Sequence, residues 1–216
     1  DDATFEEARK MAFSDQDTRS HDAVVAYKVD HGDIEGARKL VEELVSQGLS
    51  VRDGYIALAR AEIKVGEFSK ARQYVSQAHS HAPWDKFDVL VEIVKAEAAA
   101  GQDTWRSFEP AYALARRHEH IPTVYVPDLR RIIEVLDEFG AHDVARWRLN
   151  EARNVIERIP EISERIRLWS VLIETEARAG RFDEARADLV NIQGTSKEYR
   201  AYLAIGFAEA RTGKDP

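Results

Sequence analysis

Apolar residues along this chain recur three, four and seven positions apart, in segments that each close on a glycine. The glycines Gly32, Gly66, Gly101, Gly140, Gly180 and Gly213 are separated by 34, 35, 39, 40 and 33 residues. Eleven residues before the last five stand Tyr55, Leu90, Leu129, Trp169 and Tyr202, and eight before stand Leu58, Ile93, Ile132, Leu172 and Ile205. That spacing puts each pair on one side of a helix, so an amphipathic helix is predicted ahead of each glycine. A second amphipathic segment follows the turn: ARKLVEELVSQG, ARQYVSQAH, ARWRLNEARNVIERI and ARADLVNIQ. No stretch alternates at period two, so the chain is predicted to be almost wholly helical. The repeating unit is helix, turn at glycine, helix.

The turns share letters as well as spacing. GDIEGAR (32–38), GEFSKAR (66–72), GAHDVAR (140–146) and GRFDEAR (180–186) all read Gly-x-x-x-x-Ala-Arg, and ATFEEAR (3–9) repeats them with alanine for glycine. A short turn between helices favours a residue that tolerates positive φ. The alanine is small where two helix axes approach, and Ile34, Phe68 or Phe182 wedges the hairpin. The repeated arginines, Arg9, Arg38, Arg72, Arg146 and Arg186, are expected to be a solvated helix face or partners of a nearby Glu. The third unit departs from the rule with Arg106 at the alanine position, as does His142 at the wedge position of the fourth.

ATFEEAR reads as a second helix without its first, and KEYRAYLAIGFAEARTG as a first helix without its second. These half-repeats fit terminal caps or a segment cut from a longer array. Asp1 in place of Met points to a trimmed N-terminus and so to the second of these. Tyr202, Ile205 and Phe207 are expected to pack the last helix onto its neighbour. In GQDTWRSFEPAYALARRH, Pro110 predicts a kink, or a separate turn with the helix starting at the proline. HIPTVYVPD (120–128) reads as a longer connection, with a bend over 118–128 in an otherwise single domain spanning 1–216.

The register resembles the tetratricopeptide repeat, a family of about 34-residue helical hairpins. Its Trp and Leu positions are filled by Tyr55 and Leu58, Leu90 and Ile93, Leu129 and Ile132, Trp169 and Leu172, Tyr202 and Ile205. Its tyrosine position holds Glu62, Glu97, Glu176 and Glu209, and Pro83 falls on its terminal proline. Units one and two also resemble the pentatricopeptide repeat, which reads RNA. Ile56, Val91, Arg130, Ser170 and Leu203, after the first-helix anchor, do not resemble its base code. The tetratricopeptide resemblance implies a right-handed α-solenoid of about five hairpins with a half-repeat at each end. It also implies that first helices line a concave face, where residues six, three and two before each glycine would meet a partner. Arg60, Lys64 and Lys95 make that face positive in early units, and Glu134, Asp137, Glu138 and Glu174 make it negative in later ones.

Composition narrows the functional classes. A net charge of −8 argues against phosphate backbones as partners. With no cysteine there is no disulfide, thiolate site or Cys nucleophile. No apolar run approaches the roughly 18 residues of a membrane-spanning helix. The cytoplasm is the expected compartment, and an exported, trimmed chain fits as well. His79 with His81, and His118 with His120, are the sharpest candidate metal ligands, but residues two apart on a helix point about 200° apart. No metal, cofactor or catalytic centre is expected. The reading is a non-catalytic scaffold binding a peptide or helix. The alternatives are a regulatory or assembly segment of a longer chain that binds the rest of it, an RNA-binding repeat protein, and an all-α enzyme.

Overall fold

The computed structural model describes residues 18–49, 51, 53–78 and 83–213. Among them are eleven α-helices and no strand. In chain order they are α1 (Thr18–Asp30), α2 (Ile34–Ser46), α3 (Asp53–Lys64), α4 (Phe68–Gln77), α5 (Pro83–Ala99), α6 (Trp105–Arg116), α7 (Pro122–Glu138), α8 (His142–Glu157), α9 (Ile162–Arg178), α10 (Phe182–Asp188) and α11 (Ser196–Thr212). A 3₁₀ turn, Leu189–Ile192, follows α10.

The glycine anchors are the helix stops. All six take φ between +66° and +79°, the left-handed region in which a side chain is strained. At five of them the next N–H donates to the carbonyl four residues before the glycine: Asp33 to Lys28, Glu67 to Glu62, Gln102 to Glu97, Ala141 to Leu136 and Arg181 to Glu176. This is a Schellman closure, which satisfies carbonyls that the helix end leaves open. Beyond each turn, Ala37, Ala71, Ala145 and Ala185 are fully buried, as close approach of two helices requires. The wedge residues Phe68 and Phe182 are buried too.

The chain divides into two compact units, residues 1–111 and 112–216. In the first, α1 packs on α2 and α3, and α3 packs on α4 and α5. Its core gathers Val25, Leu40, Val41, Leu44 and Leu58. In the second, α7 packs on α8 and α9, and α9 packs on α10 and α11. Tyr125, Leu129, Ile133, Leu149, Ile156, Leu172 and Ile173 are fully buried there. Burying each such side chain contributes about 1.5–3 kcal/mol, which is what holds the individually marginal helices.

Two proline-bearing stretches are helical. Helix α6 starts at Trp105 and runs through Pro110, so TWRSFE is no separate turn. Asp103 accepts a hydrogen bond from the Trp105 N–H at 3.0 Å and secures the start. HIPTVYVPD is not a long connection either: α7 opens with Pro122 in its first turn and contains Pro127. Proline suits the first turn because its missing N–H would have had no partner there. Packing outweighs the second proline, since Tyr125, Val126 and Leu129 are all buried on this helix. Helix α1, ahead of Gly32, carries polar His21 eleven residues before its glycine, where the later units carry an apolar residue.

The motif arginine and the glutamate four before the next glycine meet. Arg38 pairs with Glu62, Arg72 with Glu97 and Arg186 with Glu209. Each contact runs from a second helix to the first helix of the following unit. Glu62, Glu97 and Glu176 are buried, and one oxygen of each has no hydrogen-bond partner. The Glu62 hydrogen bond holds the Arg38 guanidinium well above its usual range. Burial pushes the Glu97 carboxyl up, against the pull of Ser107 and Arg72. In the fourth unit the motif arginine does not take this role. Arg146 reaches Glu184 at 3.2 Å on the surface, and Arg153 pairs with Glu176 at 2.5 Å.

Candidate functional site

First helices α7, α9 and α11 of the second unit leave two adjacent depressions between them. One, of about 280 Å³, is lined by Glu134, Asp137, Glu138, His142, Thr175, Arg178 and Ala179. The other, of about 380 Å³, is lined by Glu174, Ala177, Arg178, Ala204, Phe207, Ala208, Arg211 and Thr212. Arg178 belongs to both. The lining follows the register closely: Glu134, Glu174 and Phe207 stand six before a glycine, Asp137 and Ala177 three before, and Glu138, Arg178 and Arg211 two before. Helical geometry explains this, because such residues share one side of a helix.

The acidic candidates are brought together here, but several are already neutralised. Arg178 donates to Glu134 at 3.1 Å and lies 4.0 Å from Glu174. Asp137 accepts two hydrogen bonds from Arg181, at 2.5 and 2.9 Å, with His142 at 3.1 Å. Glu138 is exposed. The Thr175 hydroxyl donates to the Val171 carbonyl at 2.8 Å, so it is not aimed at His142 as a nucleophile would be.

Phe207 occupies the register position of Glu134 and Glu174 without their charge, six residues before Gly213. It does not pack α11 onto its neighbour as expected: Ile205 does, while Phe207 is 68% exposed. With Ala177, Ala204 and Ala208 it makes an apolar floor rimmed by Arg178, Arg211 and Glu174. Such a surface can hold one apolar side chain while its rim meets polar or charged groups of the same ligand.

No protein-family model and no curated protein matches this chain. The site therefore rests on its own geometry.

The basic candidates lie in the first unit. Arg60 on α3 bridges to Glu92 on α5 at 3.1 Å, and both are exposed. Lys64 and Lys95 are exposed as well. Of the histidine pairs, His79 and His81 lie outside the described residues. His118 Nδ1 stands 3.7 Å from Asp128, and His120 is exposed. Among the described residues no three His, Cys, Asp or Glu side chains gather as a metal site. No described helix is long and apolar enough to cross a membrane.

A separate polar cluster is structural in its geometry. Tyr112 and Tyr125 both donate to Glu151, and Arg148 donates to the same carboxylate at 3.0 Å while lying 3.3 Å over the Tyr112 ring. Burial raises the pKa of both tyrosines, and the Glu151 hydrogen bonds add to it.

Proposed function

We propose that the protein is a non-catalytic interaction scaffold, a tetratricopeptide-like solenoid whose concave face holds a partner peptide or helix. The observation that supports this best is the shared lining of the two depressions by equivalent residues of α7, α9 and α11. An apolar side chain of the partner occupies the Phe207 floor, and its charged groups exchange with the Arg178, Glu134 and Glu174 pairs. Those pairs are exposed, contribute little to stability, and can be rearranged at small cost. Charge along the face orients the partner and speeds its association more than it deepens affinity.

Affinity capture with mass spectrometry, using the 216-residue chain and two surface variants, tests the reading. Phe207→Glu combined with Glu174→Arg should weaken capture of the specific partner about tenfold or more, a loss of at least about 1.4 kcal/mol. Arg60, Lys64 and Lys95 all changed to Glu tests the basic residues of the first unit in the same way. If both variants retain every partner at wild-type yield, the concave-face reading is wrong.

A further inference from the structure

Counting back from Gly213, positions two, six, nine and thirteen of α11 hold Arg211, Phe207, Ala204 and Arg200. The same positions of α9, counted from Gly180, hold Arg178, Glu174, Val171 and Arg167. Steps of three and four put each set along one side of its helix. The two sides meet at the depression of about 380 Å³ that Phe207 floors, and Arg167 and Arg200 stand on them beyond its edge. The sequence predicts a negative face here, but the acids are engaged. Glu174 lies 4.0 Å from Arg178, Glu198 of α11 accepts the Gly194 N–H at 2.7 Å, and Glu209 is buried against Arg186. Arg167, Arg200 and Arg211 are exposed, and none of them is paired with a carboxylate among the described residues. The charge left over is positive.

We propose that this face of the second unit takes an acidic segment of a partner protein. One apolar side chain sits on the Phe207 floor, and Asp or Glu residues on either side of it meet Arg200 and Arg211. The inference rests on the scaffold reading and adds to it the chemistry of the partner. Arg211 stands four residues after Phe207 and Arg200 seven before it. At the helical rise those steps are about 6 Å and about 10 Å, so the two cations bracket the floor. In an extended segment lying along α11, at about 3.3 Å per residue, carboxylates roughly two and three residues from the apolar side chain fall near them. A guanidinium matches a carboxylate with two parallel N–H donors, so the pairing is directional as well as electrostatic. A nucleic-acid strand fits less well, because Glu174 and Glu134 stand beside the floor and would face its phosphates.

Selection on the 216-residue chain from random peptides, displayed between two folded domains so that no free terminus is offered, tests this. Enriched sequences should carry an apolar residue flanked by Asp or Glu. Arg200→Glu with Arg211→Glu should bind a synthetic copy of the most enriched peptide at least about tenfold more weakly. Arg200→Gln with Arg211→Gln, which adds no new charge, should weaken it in the same direction. Circular dichroism should show both variants folded, since the two arginines are exposed. Added salt should weaken the wild-type complex, because the charges involved are open to solvent. Enrichment of basic or uncharged sequences overturns the proposal, as does no enrichment at all. So does a charge-reversed variant that binds the acidic peptide as tightly as wild type. Tighter binding of oligouridylate than of the peptide overturns it as well and assigns the face to nucleic acid. A partner lost with Phe207→Glu and Glu174→Arg but kept with Arg200→Glu and Arg211→Glu overturns the acidic partner and leaves the groove itself standing.

Discussion

Arg38→Met is expected to lower stability by about 3 kcal/mol and the melting temperature by roughly 6–12 °C. The cause is Glu62, which is fully buried and would be left as an uncompensated carboxylate. About 3 kcal/mol is the low end for breaking a buried pair. Arg38 keeps a quarter of its side chain in water, which screens the interaction. Arg38→Met with Glu62→Leu should recover most of the loss, because two apolar side chains replace the pair without stranding a charge. Arg146→Met supplies the contrast. Its arginine belongs to the same motif but meets Glu184 on the surface, with the two side chains 60% and 30% exposed. That change should cost less than about 1 kcal/mol. Thermal and urea unfolding of the four proteins would decide the matter. Equal losses for Arg38→Met and Arg146→Met would mean that burial of the glutamate is not what makes the pair matter.

Stability should fall as pH rises from 6 to 8, and Glu176→Gln should flatten that fall. Arg153 is shared by two carboxylates, Glu176 at 2.5 Å and Asp188 at 2.9 Å. Burial and the Asp188 charge outweigh the attraction of Arg153, and the Glu176 carboxyl is pushed up to about 8. The folded state therefore holds a proton that the unfolded chain releases near the ordinary carboxylate range. The stability from that proton is complete below the unfolded value and is lost as pH rises through about 8. Linkage limits the slope to about 1.4 kcal/mol per pH unit, so on the order of 2–3 kcal/mol is at stake between pH 6 and 8. Melting curves at several pH values, wild type minus variant, isolate this group from the histidines. A difference that does not change with pH would show that Glu176 is ionised throughout.

Periodicity made the helices legible, and the glycines made their ends legible. A left-handed stop needs glycine, and glycine at a near-constant period is visible without any structure. The alanines and the wedge residues were readable for the same local reason. Which glutamate each arginine meets was not, although both halves were in view. Arg38 and Glu62 are 24 residues apart, and only the packing of successive units brings them together. Counting from the glycine does not find the fourth pair. Counting back from the glutamate gives separations of 24, 25, 23 and 23 residues to Arg38, Arg72, Arg153 and Arg186. Arg153 stands seven residues past Arg146, two turns along a second helix that is itself longer than α4. Of the candidate site, the register was legible in the sequence and the pairing of its charges was not. Phe207 and Arg178 were at marked positions, whereas Asp137 is occupied by Arg181 from beyond the next turn. At Pro127 a local rule about proline is outweighed by the packing of the helix that contains it.

The most direct test of the scaffold reading is site-specific photo-crosslinking from single positions on the intact chain. A photoreactive phenylalanine analogue would replace Phe207 or Glu138 in the groove, and Trp147, which is exposed on α8, as the control. The account predicts covalent adducts to the same partner from the two groove positions and none from Trp147. Adducts from Trp147 with none from Phe207 or Glu138 would contradict it.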